Sequence, residues 1–231
     1  MMIKNKRIAY FLLGVVLGVL FVILGVSVFL GLTQSVDRIF FYAVNQWNPS
    51  PILDVIMISL SLYGREVVWG GLIIVFLLFG DERQKKNGLI LLILFIVLTA
   101  TGEIVKLIDF RLRPYDVFSN VRLLVSPEMD SSFPSGHTLI VTGGAIVALI
   151  RMNRKWAFLL TVEAALVSFS RIYVGVHYPT DVLGGALLGA SGALLLCSKP
   201  ELIDRVYRRL STTFFSIKRK VTHVIHEPLQ G

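Results

Sequence analysis

An all-α integral-membrane bundle is the fold class this sequence predicts, and three observations carry it. Of 231 residues, 55% are hydrophobic and only 16% charged, against roughly 25% charged in soluble domains, and mean hydropathy is +0.73. Several apolar stretches approach the ~20 residues a helix needs to cross a bilayer. The polar segments between them carry Lys and Arg unevenly, as loops on two sides of a membrane do. The reading is six transmembrane helices, an interfacial helix and a basic amphipathic C-terminal tail. Residues 1–198 form one membrane domain and 199–231 the tail.

The first span runs from Ile8 to Leu32 without a charge. It is too long for a secretory h-region and lacks a small-x-small cleavage site, so it reads as retained. Residues 35–51 place Ile39, Phe40, Ala43, Val44 and Trp47 at helical spacing, with Trp47 suited to the headgroup layer, which predicts an interfacial helix. Residues 52–62 read as a short, partly inserted helix, and 66–80 as the body of span two, with Gly64-Arg65-Glu66 between them. "DERQKKN", 81–87, reads as a polar turn. Span three covers Gly88 to Ile108, a polar loop 109–133, span four 135–150 and span five 156–172. Pro179 opens span six, where its missing N–H is harmless at the first helical position, and that span ends near Ser198.

Six spans place both termini on one side, and cations say which. Lys4, Lys6 and Arg7, then Arg83, Lys85 and Lys86, then Arg151, Arg154 and Lys155, with seven more after Ser198, put sixteen of the 23 Lys and Arg on one face. By the positive-inside rule that face is cytoplasmic. In the tail, Ile203, Val206, Leu210, Ile217 and Val221 recur at roughly helical spacing among Arg205, Arg208, Arg209, Lys218, Arg219 and Lys220. This predicts a helix on the anionic inner leaflet. The net charge of +8 is then mostly membrane-surface charge, and no nucleic-acid motif accompanies it. The single cysteine, Cys197, makes no intrachain disulfide and has no metal-binding spacing around it.

Three groups of polar residues gather on the outer side. "KLIDFRLRP" holds Lys106 and Arg113 seven apart. Pro114 disfavours helix at Arg113, which places that cation at the helix end or just beyond it. Cations in or beside a span suggest a bound anion; snorkelling to the headgroups is the plainer alternative for Lys106, and more so for Arg111. In "PSGH", 134–137, Ser135 as N-cap would leave the N–H groups of Gly136 and His137 at an open helix start, a ready anion site. In "SRIYVGVHYPTD", 170–181, Arg171 closes span five, and Asp181 stands four residues after His177, where it can hold the imidazole tautomer. Cations, helix-start amides and two histidines are what phosphoryl transfer needs. Carboxylates are not clustered with the histidines as a metal site would require.

Lys106-x6-Arg113-Pro114, then Pro134-Ser135-Gly136-His137, then Ser170-Arg171-x5-His177-x3-Asp181 resembles the type 2 phosphatidic acid phosphatase superfamily. The match is close over 106–181 and loose in span layout, and leaves the N-terminal third and the tail uncovered. The resemblance implies that His177 attacks phosphorus and becomes a phosphohistidine, with Asp181 orienting it, while His137 protonates the leaving oxygen. It implies that Lys106, Arg113, Ser135, Gly136 and Arg171 hold the phosphate, and that no metal or other cofactor is needed. Two carboxyls lie outside this account. Glu163 is mid-span, either functional or hydrogen-bonded to a neighbouring span. Glu103 is one turn before Lys106 and reads as its partner.

The expected activity is hydrolysis of a membrane lipid phosphate at the outer face: a polyisoprenyl diphosphate, phosphatidylglycerophosphate or phosphatidate. A phosphotransferase between lipids fits the same motifs. A non-enzymatic lipid transporter would explain buried charge without chemistry, but transporters gather binding groups near the midplane, whereas these charges sit at span ends. The expected partners are the lipid substrate and the bilayer; the motifs are silent on oligomeric state.

Overall fold

Apolar runs bounded by capping residues become helices, and they do so here in chain order. In a computed structural model, which describes residues 2–47, 50–108 and 110–212, the elements are α1 (Met2–Phe29), α2 (Gln34–Asn45), α3 (Pro51–Tyr63), a π-helical turn (Gly64–Gly70), α4 (Gly71–Phe79), α5 (Glu82–Ile108), α6 (Pro114–Val117), α7 (Gly136–Arg151), α8 (Arg154–Tyr173) and α9 (Pro179–Cys197). No strand occurs among the described residues. Five helical stretches among them are long and apolar enough to cross a membrane: α1, the rod Pro51–Phe79, α5, α8 and α9. The 16-residue α7 is apolar but shorter.

The structure corrects two boundaries. The break expected between 52–62 and 66–80 is absent, because the π turn carries the helix through Gly64-Arg65-Glu66 without interruption. The "DERQKKN" segment is not a turn: α5 begins at Glu82. Asp81 Oδ1 accepts from the Gln84 N–H at 2.8 Å while Gln84 Oε1 accepts from the Asp81 N–H at 2.8 Å, a reciprocal cap that starts the helix six residues before its apolar part. α2 is helical as expected: Ile39, Phe40 and Trp47 are exposed, while Asp37, Phe41 and Asn45 are buried and join α2 to the bundle through the polar partners described below. Of the tail, residues 200–212 are helical, with Ile203 buried and Lys86 bridging Glu82 and Asp204, each at 3.0 Å. Ile217, Lys218, Arg219, Lys220 and Val221 lie outside the described residues.

At the centre α7 packs against α9, α8 and α5, α1 lies along α9, and α3 along α8. Lipid tails are as apolar as leucine, so helix association in a bilayer relies on close backbone approach through small residues. The α7–α9 contact is built that way. A Cβ on Gly189 would stand 2.2 Å from the Leu139 carbonyl oxygen, and one on Gly185 2.6 Å from that of Ser135. The Ser191 hydroxyl donates to the Gly14 carbonyl at 2.8 Å, joining α9 to α1. α5 buries Leu91, Leu94, Leu98 and Gly102 at helical spacing against this core. Outward, Val22, Leu78, Phe79 and Leu107 are exposed, an apolar surface that a bilayer would cover.

Because α7 and α9 touch backbone to backbone, replacing Gly189 by Val should cost roughly 2 kcal/mol through overpacking. Thermal unfolding of the detergent-solubilised variant measures this, and an unchanged midpoint would mean that the two helices do not approach so closely.

Candidate functional site

The site is assembled where the loop before α7, the turn between α8 and α9 and the segment after α5 converge. His177 lies in the α8–α9 turn and is 1% exposed. Gly175, at φ +89°, gives the turn its left-handed residue, and a Cβ there would meet the Arg122 carbonyl at 2.8 Å. The turn closes when the N–H groups of Val176 and His177 both donate to the Arg171 carbonyl at 3.2 Å.

One face of the His177 ring is held by an anion and the other faces cations. Nδ1 lies 3.4 Å from Asp181 Oδ2 and 3.5 Å from the Ser132 hydroxyl. Nε2 lies 3.5 Å from Arg113 Nη1. Burial pushes the His177 pKa well below its ordinary value, and Arg113 and Arg171 push it further. The ring is therefore neutral at neutral pH, and a carboxylate at Nδ1 favours the tautomer that leaves the Nε2 lone pair free. Asp181, at 0% exposure, is itself surrounded by donors. Its Oδ2 accepts from the Tyr178 N–H at 2.8 Å and from the Ser132 hydroxyl, and its Oδ1 from Arg111 Nη1 at 2.5 Å.

Arg111 does not snorkel to a headgroup. It crosses from Asp181 to the buried Asp37, 2.6 Å from its Nη2, and lies 3.9 Å over the Tyr178 ring. Asp37 in turn accepts from the Thr180 N–H at 3.0 Å and its hydroxyl at 2.7 Å, capping the start of α9. Asp37, Arg111 and Ser132 are thus positioning residues for the His177–Asp181 pair that sequence reasoning missed. Their partners are dozens of residues away, so no local spacing announces them.

The phosphate-binding candidates meet an acidic loop. Arg113, just beyond the end of α5 as expected, stands at the start of α6 and is 1% exposed. Its Nη2 lies 2.6 Å from both Glu128 Oε2 and Asp130 Oδ1, and its Nη1 donates to the Val176 carbonyl at 2.9 Å. Arg171 is anchored by Ser61, whose Oγ lies 2.6 Å from Nη1, and contacts Glu128; its Nε has no hydrogen-bond partner among the described residues. Lys106 pairs with Asp130, and Glu103 is a second partner at 3.6 Å, as the sequence suggests. Lys106 and Arg113 hold Asp130 down to about 2 despite its partial burial, and Arg171 and Arg113 hold Glu128 below its usual range against its own desolvation. Two loop carboxylates are thus shared among three cations.

Ser135 is the N-cap residue of α7, but its hydroxyl caps no N–H; it accepts from the Thr138 hydroxyl at 3.2 Å, while its own N–H donates to the Asp181 carbonyl at 3.0 Å. Gly136 opens the helix, where first-turn N–H groups have no intrahelical acceptor. His137 follows, half-buried, with the charges of Arg171, Arg65 and Lys106 around it. Glu163 turns out to be interhelical: its Oε2 accepts from the Trp69 indole N–H at 2.9 Å. No cluster of three or more His, Cys, Asp or Glu fit to hold a metal ion occurs among the described residues.

Residues 66–202, which contain all of these groups but Asp37 and the neighbours before residue 66, match the model of the PAP2 superfamily. The chain belongs to the PAP2 superfamily. It is therefore a hydrolase, and with its apolar helices a multi-pass membrane protein. It is 38% identical over 178 residues to an undecaprenyl-diphosphatase of Sulfolobus acidocaldarius, covering 76% of this chain and 85% of that protein. Undecaprenyl-diphosphatase BcrC of Bacillus subtilis is 35% identical over 175 residues, 74% of this chain and 89% of that one. The crystal structure of the PAP2-type phosphatidylglycerolphosphate phosphatase from Bacillus subtilis superposes with a TM-score of 0.69 at 27% identity, covering 82% of this chain and 96% of that one.

If Glu128 and Asp130 stand where phosphate oxygens bind, removing one charge should tighten an anionic inhibitor. A partly exposed ion pair is worth ~1 kcal/mol, about fivefold in affinity, so Asp130→Asn should lower the orthovanadate inhibition constant by roughly that factor. Weaker inhibition in the variant would mean that the carboxylates help to hold the anion.

Proposed function

We propose that this protein is a membrane lipid phosphatase that removes the terminal phosphate of a polyisoprenyl diphosphate through a phosphohistidine on His177. The observation that carries the reading is the His177 ring, braced at Nδ1 by Asp181 and Ser132 and presenting Nε2 beside Arg113. The substrate class follows the activity for which the relatives at 38% and 35% identity are named.

In this reading phosphate enters by displacing Glu128 and Asp130 from Lys106, Arg113 and Arg171, which neutralise its oxygens, and the first-turn amides after Ser135 and Gly136 add donors. His177 Nε2 forms a bond to phosphorus as the bond to the bridging oxygen breaks; His137 gives a proton to the departing oxygen. The imidazolium character gained at His177 is met by Asp181. Water then gives a proton back to His137 as its oxygen bonds to phosphorus and the P–N bond breaks, releasing inorganic phosphate and restoring both rings. Each role is played by charge and hydrogen bonds that side chains supply, without a metal or other cofactor.

The same reading takes α7 as a sixth span. At 16 residues it is about 24 Å long, short of the ~30 Å hydrocarbon core, so its histidine-bearing start sits just inside the outer boundary, where a lipid-borne phosphate arrives with its tail still in the bilayer. Both termini then face the cytoplasm, residues 1–198 form the membrane domain, α2 lies in the outer interface and the 199–231 tail lies on the inner leaflet, in keeping with the cation asymmetry.

The two histidines should fail differently. With chelator present throughout, His177→Ala should form no acid-labile phosphoenzyme from phosphorus-labelled substrate. His137→Ala should lose turnover on lipid substrates by at least about a hundredfold, the low end for a general acid, and recover partly on an aryl phosphate, whose leaving group needs no proton. Label that persists in His177→Ala and vanishes in His137→Ala would reverse the roles. Orientation is tested separately: in a Cys197→Ala background, Ser119→Cys, exposed in the loop after α6, should react with an impermeant thiol reagent in intact cells. Labelling only after lysis would turn the site inward.

A further inference from the structure

Arg65 is a cation at the site that neither the sequence motifs nor the three-cation cluster includes. It lies in the π-helical turn Gly64–Gly70, and π turns inside α-helices recur at functional sites because they re-aim side chains. Its Nη1 stands 3.9 Å from where a Cβ on Gly136 would be, at the open start of α7. Its charge acts through space on His137 and on Arg171. Whereas Lys106, Arg113 and Arg171 contact the carboxylates at 128 and 130, the carboxylate partner of Arg65 is its own neighbour Glu66, with Nε 2.7 Å from Oε1. Glu66 is 46% exposed and Arg65 28%, so this pair can open toward a ligand at little cost.

The turn that carries Arg65 is held rigidly. Trp69, 2% exposed, donates its indole N–H to Glu163, and a Cβ on Gly144 of α7 would stand 2.3 Å from the Trp69 ring. A Cβ on Gly64 would stand 2.4 Å from Val167 of α8. The mid-span carboxyl of Glu163 therefore serves to lock the π turn between α7 and α8. Ser61, one turn earlier in the same rod, anchors Arg171. One rod thus supports a cation on the attacked phosphate and offers another beside His137.

The side on which Arg65 sits decides what it does. In the mechanism proposed above, on which this inference rests, His137 faces the oxygen that leaves. When a lipid phosphomonoester is cleaved, that oxygen departs as a neutral alcohol after protonation. When a lipid diphosphate is cleaved, the leaving group is a lipid monophosphate, which keeps its own anionic oxygens. We propose that Arg65 binds the phosphate that stays on the lipid, and so sets preference for diphosphates over monophosphates. The bonds balance as before: Nε2–P forms, P–O to the bridging oxygen breaks, and the electron pair leaves with the lipid monophosphate beside the Arg65 guanidinium.

The test is a ratio, which does not depend on how much of a variant is folded. Full-length wild type, Arg65→Ala and Arg65→Lys in detergent are assayed on a polyisoprenyl diphosphate and on the monophosphate of the same tail. The ratio of kcat/KM for diphosphate to that for monophosphate should fall at least about tenfold in Arg65→Ala, the scale of one lost charge-assisted bidentate contact, and return partly in Arg65→Lys, which keeps the charge but not the fork. Inhibition by inorganic pyrophosphate and phosphate reads the same subsite without lipid: the pyrophosphate constant should rise relative to the phosphate constant in Arg65→Ala. Unchanged ratios in both assays would overturn the assignment while leaving the phosphatase reading intact. Failure of the wild type to release phosphate from either lipid would instead sink the phosphatase reading, and this inference with it.

Discussion

The end of the bundle that carries the two histidines is arranged around one buried charge, the carboxylate of Asp181. An isolated carboxylate at 0% exposure would cost several kcal/mol, so the fold supplies it with Arg111, the Ser132 hydroxyl and the Tyr178 N–H, and leaves the remaining approach to His177. Arg111 cannot serve alone, its side chain being only 13% exposed, and it is balanced by Asp37. That second carboxylate caps α9 through Thr180. The chain of paired charges therefore fixes α2, the segment after α5, the loop before α7 and the start of α9 in one arrangement. Breaking a buried pair on one side costs about 3–5 kcal/mol because the other charge is stranded. This explains why α2 turns Asp37 inward and leaves Ile39 and Phe40 outside.

A second balance holds the cluster of Arg113, Arg171 and Lys106. Arg113 and Arg171 are both 1% exposed, and two buried guanidiniums repel unless an anion lies between them. Glu128 bridges them, and Asp130 links Arg113 to Lys106. The carboxylates belong to a loop rather than to a helix, and each is more than a third exposed or close to it. The two guanidiniums are therefore held inside the bundle, whereas their counterions lie on a loop and reach solvent. Preorganised charge in a water-poor site is the largest lever an enzyme has on phosphoryl transfer, and the fold keeps it in place without substrate.

The bundle reaches this arrangement with helices of unequal length. The Pro51–Phe79 rod passes the start of the shorter α7, where Arg65 Nη1 comes within 3.9 Å of a Cβ on Gly136. The close α7–α9 contact through Gly185 and Gly189 then brings the His137 and His177 segments side by side.

The sequence by itself determined the helical class, most of the apolar segments, the PAP2 motifs and the His177–Asp181 pairing, because these rest on short-range physics: apolar length, cap chemistry and an i,i+4 relation across one turn. It also held signals read past, such as the Asp81–Gln84 reciprocal cap that extends α5. The tertiary structure alone decided the rest. Asp37, Arg111 and Ser132 support Asp181 from positions 144, 70 and 49 residues away in number, and Glu128 and Asp130 find their cations only when the loop folds over them. Arg65 stands beside Gly136 because a π turn, locked by Trp69 and Glu163, changes the phase of a helix. A periodicity argument assumes a constant phase, and pairing of buried charges is a property of which surfaces meet. Neither a phase shift nor a meeting of surfaces is written in local spacing.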